Sequence, residues 1–152
     1  VRLAVRCRMT YSLRDLVSAI ASHLTESGLR LSPAPFAVDA MPKNLVDLSF
    51  VLDFQSANTG KYREGYEDLL LAESALTVTF AKVLKPLDQM TSHLDALGIE
   101  TKVIKTILDR ATLPGTDVTW TSTSRTLTPA REHLLTAIVF RIEHNLAYGV
   151  AA

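Results

Sequence analysis

Four stretches of this chain alternate apolar and polar residues with a period of two, and that pattern limits what it can fold into more than any other feature. Leu48, Phe50, Leu52 and Phe54 alternate with Ser49, Val51 and Asp53, and Leu76, Val78 and Phe80 alternate with Thr77, Thr79 and Ala81. Asp117 to Leu127 alternates Thr or Ser with Val118 and Trp120, and Ile138, Phe140 and Ile142 alternate with Val139, Arg141 and Glu143. Successive side chains of a strand point to opposite faces, so each run carries one apolar row that must be covered and one row that need not be. The expected strands are Leu48–Phe54, Ala75–Leu84, Asp117–Leu127 and Thr136–Leu146. The first two form an antiparallel hairpin.

Two amphipathic segments are available as the cover. Ser12-Leu-Arg-Asp15 has the form of a capping box, Leu13, Leu16, Val17, Ile20 and Leu24 follow at helical spacing, and Gly28 stands where a helix ends. Pro86 suits the first turn of a second helix, from Leu87 to about Arg110, with Gly98 the one point where it can bend or break. Its apolar row reads Leu87, Met90, Leu94, Leu97, Ile104 and Leu108, with Val103 and Ile107 alongside. On that reading Leu94 is buried, and Leu94→Asp unfolds the chain. The expected fold is a single α+β domain over residues 1–152: a mainly antiparallel sheet, two amphipathic helices packed on one face, and a long hairpin tip. The Ser- and Thr-bearing second face is expected to be wet or used for contact.

Between these elements, Pro33, Pro35 and Pro42 exclude a helix from Leu31 to Pro42, leaving room for a short extended piece at Phe36-Ala-Val38. Val1 to Met9 alternates in the manner of an additional strand, with Arg2, Arg6 and Arg8 on one side, and Tyr148 to Ala152 has no pattern. If Val1 is a translated alternative start codon, the natural protein begins at Met9. No apolar h-region of a signal peptide follows the basic start, and no run approaches the roughly 20 apolar residues of a bilayer span.

Sixteen Lys+Arg balance sixteen Asp+Glu, and 47% of the residues are hydrophobic. That balance opposes both intrinsic disorder and a strongly cationic nucleic-acid binder. Cys7 is the lone cysteine, and His23, His93, His133 and His144 do not pair at spacings that place two ligands on one metal. All four histidines are expected at the surface or its boundary. Neighbours in a strand diverge, so Glu143 and His144 do not make an acid–base pair, and no Gly-rich phosphate loop or nucleophile elbow is present. No catalytic residue, metal or cofactor is expected. A ferredoxin-like RNA-binding sheet would expose aromatics, whereas Phe50, Phe54 and Phe80 lie on rows expected to meet the helices.

One segment remains without a structural task. Ser56 to Asp68, at the hairpin tip, is long and carries Lys61, Tyr62, Arg63, Glu64, Tyr66, Glu67 and Asp68. Loops of more than about 12 residues are uncommon in compact domains unless they are functional or disordered. Tyr and Arg are enriched at interfaces.

Taken in order, the helix at Ser12–Ser27, the proline-bearing crossover at Leu31–Pro42, the long-tipped hairpin, the helix at Leu87–Arg110 and the two closing strands resemble the tail-terminator and related head–tail joining proteins of tailed bacteriophages. The resemblance runs from about Met9 to Leu146 and is one of element order and length. It implies a structural virion protein, assembled in the host cytoplasm, that forms a ring, commonly a hexamer, on the end of the tail tube and meets the head-completion proteins. DNA would pass through as cargo. Two alternatives stand beside this reading: another head–tail connector or tail-tube component, and a ferredoxin-like domain that binds a ligand or nucleic acid.

Overall fold

The computed structural model describes residues 13–33, 36, 47–59, 71–110, 116–128 and 131–145. They form α1 (Leu13–Glu26), β1 (Arg30–Leu31), β2 (Ser49–Thr59), β3 (Leu71–Val83), α2 (Gln89–Arg110), β4 (Asp117–Leu127) and β5 (His133–Asn145). The chain is an α+β domain with one five-stranded sheet in the order β1-β2-β3-β5-β4. β1 runs parallel to β2, and every other pairing is antiparallel.

The alternating rows build the core. Phe50 lies opposite Phe80 and Leu52 opposite Val78, while Phe140, Ile138 and Ile142 continue the rows into β5; Phe54, opposite Leu76 and expected to meet a helix, is instead 41% exposed near the end of the covered row. Leu16, Ile20 and Leu24 of α1 and Val103 and Ile107 of α2 enter the same cluster as Phe50, Leu76, Val78, Phe80, Ile138, Phe140 and Ile142. Most of these side chains are sealed from water. Each contributes about 1.5–3 kcal/mol relative to exposure, which is why a two-residue period and a helical period suffice to specify the layer.

Local chemistry sets the ends. Gly28 adopts φ 100°, and the Gly28 and Leu29 amides donate to the Thr25 and Leu24 carbonyls, closing α1 in a Schellman turn. The chain then enters β1 directly, and the Arg30 amide donates to the Leu48 carbonyl. Asp47 anchors the start of β2 to the end of β3: its carboxylate accepts from the Val83 amide at 2.8 Å and pairs with Lys82 at 3.3 Å.

Several expectations are corrected. The first hairpin strand continues past Phe54 to Thr59 through a bulge between Phe54 and Ser56, because the backbone ladder with β3 persists where the side-chain pattern turns polar. The last strand starts at His133, earlier than the alternation suggests. His133 and His144 are buried, because both sit on β5, an interior strand flanked by β3 and β4. The second sheet face is wet at its sides: Ser122, Ser124 and Thr126 of β4 and Asp53 of β2 are exposed, whereas Ala81, Leu135 and Thr77 between them are buried. The expected strand at Val1–Met9, the extended piece at Phe36–Val38 beyond Phe36 itself, and the tail after Asn145 lie outside the described residues.

Candidate interaction surface

The largest correction concerns α2. Its first half turns its big apolar residues outward: Leu87, just ahead of the helix, is fully exposed, Met90 is 71% exposed, Leu94 59% and Leu97 42%. The inward face is instead Ser92, Ala96, Glu100, Val103 and Ile107, which repeat at three and four residues on the opposite side of the helix. Ser92 and Ala96 are small, so the helix start can seat closely. Ala96 packs with Leu84 and Leu134 in a satellite core. The Ser92 hydroxyl donates to the Asp88 carbonyl and accepts from the Lys85 amide, while the Asp88 carboxylate accepts from the Thr91 amide as the helix cap. Leu94 therefore does not belong to the buried row. Leu94→Asp is expected to leave the monomer folded.

One ion pair holds this helix against the sheet edge. Arg125 of β4 donates through Nε and Nη2 to the two carboxylate oxygens of Glu100, at 2.9 and 2.8 Å. The Glu100 side chain is 9% exposed and that of Arg125 46%. Such two-pronged contacts fix orientation as well as supplying charge-assisted bonds. Leu97, one helical turn before Glu100, and Leu127, two residues beyond Arg125 on the same strand face, flank this pair, and both are 42% exposed.

β4 itself is an edge. Among the described residues no strand pairs with it on the side away from β5. It is eleven residues long, and all but two of them are exposed. Its side chains are mostly Thr and Ser, with no Pro or Lys, the residues that usually blunt such an edge. A bulge between Trp120 and Ser122 leaves Trp120 47% exposed, its indole N–H donating to the Thr123 hydroxyl at 3.1 Å. At the other side of the sheet, β1 covers only Ser49 and Phe50 of β2. Among the described residues no strand flanks the rest of β2 on that side.

A shallow groove of about 510 Å³ lies on the second sheet face between β1 and β4, its apolar lining including Leu31, Phe36, Val51 and Leu135 and its polar members being Ser32, Asp53, Thr79 and Thr126. Ser74 and His144 are hydrogen-bonded at 2.8 Å on the core face, but they are 3% and 2% exposed, so this Ser–His pair is closed to a substrate. Desolvation by burial lowers the His144 pKa from its ordinary value near 6.5, and its Nδ1 has no hydrogen-bond partner among the described residues.

Lys61, Tyr62, Arg63, Glu64, Tyr66, Glu67 and Asp68, the residues predicted to make contacts, lie outside the described residues. The size of the apolar side chains points to the wrong face of α2, because its largest ones lie on the exposed stripe. The signal present in the sequence was the second series, Ser92, Ala96, Val103 and Ile107, at equally helical spacing.

No protein-family model and no curated protein matches the chain. Among solved structures, the type 4 fimbrial biogenesis protein PilO from Pseudomonas aeruginosa is similar at 11% identity and a TM-score of 0.38, over 91% of this chain and 74% of that one. A likeness that slight bears on neither fold nor function. Among the described residues no helix is long and apolar enough to cross a membrane.

Proposed function

We propose that this protein is a structural subunit that works by assembly, forming a ring that closes the end of a phage tail tube and joins it to the head. The observation that supports this reading is a sheet that, among the described residues, has two unequal open edges, β4 along its whole length and β2 beyond Phe50. Two different free edges on one subunit suit head-to-tail pairing, in which β4 of one copy lies beside β2 of the next. A contact of that kind is heterologous, and it closes into a ring when the rotation per subunit divides a full turn. Main-chain hydrogen bonds would supply affinity, and Trp120 and Leu127 would add apolar contact at the seam. The resemblance in element order supplies the more specific part: a hexamer in the virion, assembled in the host cytoplasm, that meets the tail-tube and head-completion proteins and lets DNA pass, with Lys61, Tyr62, Arg63, Glu64, Tyr66, Glu67 and Asp68 of the tip serving the ring interface. No catalytic step, metal or cofactor enters this role. The same surfaces would serve another head–tail connector or a tail-tube component.

A second reading, a small-ligand domain, is favoured only by the groove at Val51 and Ala137. The test that separates them is particle mass and electron microscopy of the purified chain beside a Ser122→Lys/Ser124→Lys variant. Rings that disappear in the variant, with the monomer fold retained, support assembly through the edge. Rings unaffected by the two lysines overturn the edge pairing, and a strict monomer that binds a small ligand in the groove overturns the assembly role.

A further inference from the structure

We infer that the outward stripe of α2 is a two-fold contact with the same stripe of a second copy, the two helices lying antiparallel. This contact is separate from the ring edges and does not rest on them, because it is self-complementary where a ring edge is not. The stripe runs Met90, Leu94, Leu97 along α2, with Leu87 at its start, and all of these side chains are exposed. Thr101 and Lys105 continue the same line. Gly98 stands inside it, and a Cβ placed there would meet nothing within 4 Å, so the helix surface at that point is bare backbone. A bare point in an apolar stripe lets a second helix approach closely.

Charge selects the occupant and its direction. Asp88 and Asp95 flank the first half of the stripe, and Lys102 lies on the same flank in the second half, with Lys105 at the end of the stripe. In an antiparallel pair each flank faces its own counterpart, reversed. Centring the pair between Leu97 and Gly98 sets Leu97 of each copy on the other's Gly98 and Leu94 beside the other's Thr101. Asp95 then falls within about half a turn of the second copy's Lys102, twice by symmetry, and Asp88 approaches the second copy's Lys105. Lys102 also donates to the Ser27 carbonyl at 2.8 Å, which restricts its ammonium near the helix surface and leaves it further donors. A parallel pair would set this flank against the partner's opposite flank, around His93 and Ile104, and would form no Asp95–Lys102 pair.

The test is sedimentation equilibrium of the full chain in the Ser122→Lys/Ser124→Lys background, where the ring edge is blocked and any remaining dimer belongs to α2. The expected result is a reversible dimer there, abolished by Leu94→Asp with circular dichroism unchanged. Asp95→Lys or Lys102→Asp alone should weaken it by about tenfold or more, and the two together should restore it. Gly98→Leu should raise the denaturation midpoint of the monomer and still weaken the dimer. A monomer at every concentration, a dimer indifferent to Leu94→Asp, or a double reversal that does not restore pairing would each overturn the inference. Rings that persist in the Ser122→Lys/Ser124→Lys background would count against the edge pairing alone, whatever the state of this dimer.

Discussion

Removing Arg125 should harm the fold more than removing its partner Glu100, although both changes delete the same two hydrogen bonds. The asymmetry follows from exposure: 9% for the Glu100 side chain and 46% for Arg125. Arg125→Ala leaves a carboxylate under the sheet edge with little access to water. Stripping the partner from a fully buried ion pair costs about 3–5 kcal/mol, and with one partner half in solvent the figure here falls to about 2–3 kcal/mol. Glu100→Ala leaves a guanidinium that swings into water, and it places a better helix former in α2, so about 0.5–1 kcal/mol is expected. Replacing both by apolar residues should be close to neutral. In urea, with slopes of about 1–3 kcal/mol/M for proteins of this size, Arg125→Ala moves the midpoint down by roughly 1 M or more and Glu100→Ala by less than about half as much. Repeating the titration at several protein concentrations removes any contribution from assembly. If Glu100→Ala proves the more damaging, or if neither variant moves the midpoint, the helix is not held to β4 by this pair.

Phe80→Ala empties a fully buried site facing Phe50 and should cost about 3–5 kcal/mol, measured by thermal or urea unfolding. Gly28→Ala meets no steric obstacle but must hold φ 100°, so about 1–2 kcal/mol of backbone strain is expected and no change in core packing. His144 gives a pH signature. Its folded pKa is lowered by burial from 6.5, so below about pH 6.5 the unfolded chain binds the proton more readily, and stability falls as pH drops while staying flat above about 7.5. Comparing urea midpoints between pH 5 and 8 for the parent and His144→Gln, the variant should lose that part of the slope. An unchanged slope would mean His144 is not the group responsible.

The sequence announced those parts of the fold in which local pattern and burial agree. α1 ends at the glycine that its spacing marks, and β4 runs from Asp117 to Leu127, the span read from its Thr- and Ser-rich alternation. β1 escaped notice because two residues carry no period, and Arg30–Leu31 becomes a strand only when the crossover lays it along Ser49–Phe50. The polar end of β2 reads as loop in the sequence because its ladder with β3 is a backbone property, invisible to side-chain alternation. α2 misled for a different reason. Two faces of this helix are periodic, and the one chosen by size is the one left in water, because Leu84 and Leu134 leave room only for Ala96 and Ser92 at the helix start. The burial of Glu100 depends on Arg125, 25 residues later, and neither residue advertises the other. Of the candidate surface, the edge character of β4 was foreshadowed by its polar sequence, whereas the apolar stripe beside it became visible only with the helix seated.

The open edge of β4 can be read directly by amide hydrogen exchange, followed across protein concentration. In an edge strand about half of the backbone N–H groups point away from the sheet, and in the isolated subunit they exchange quickly. Assembly through this edge predicts that those amides between Asp117 and Leu127 become protected as concentration rises, in step with particle mass, while the amides bonded to β5 hold constant. Outward amides that exchange at one rate at every concentration, while large particles nonetheless form, would contradict it.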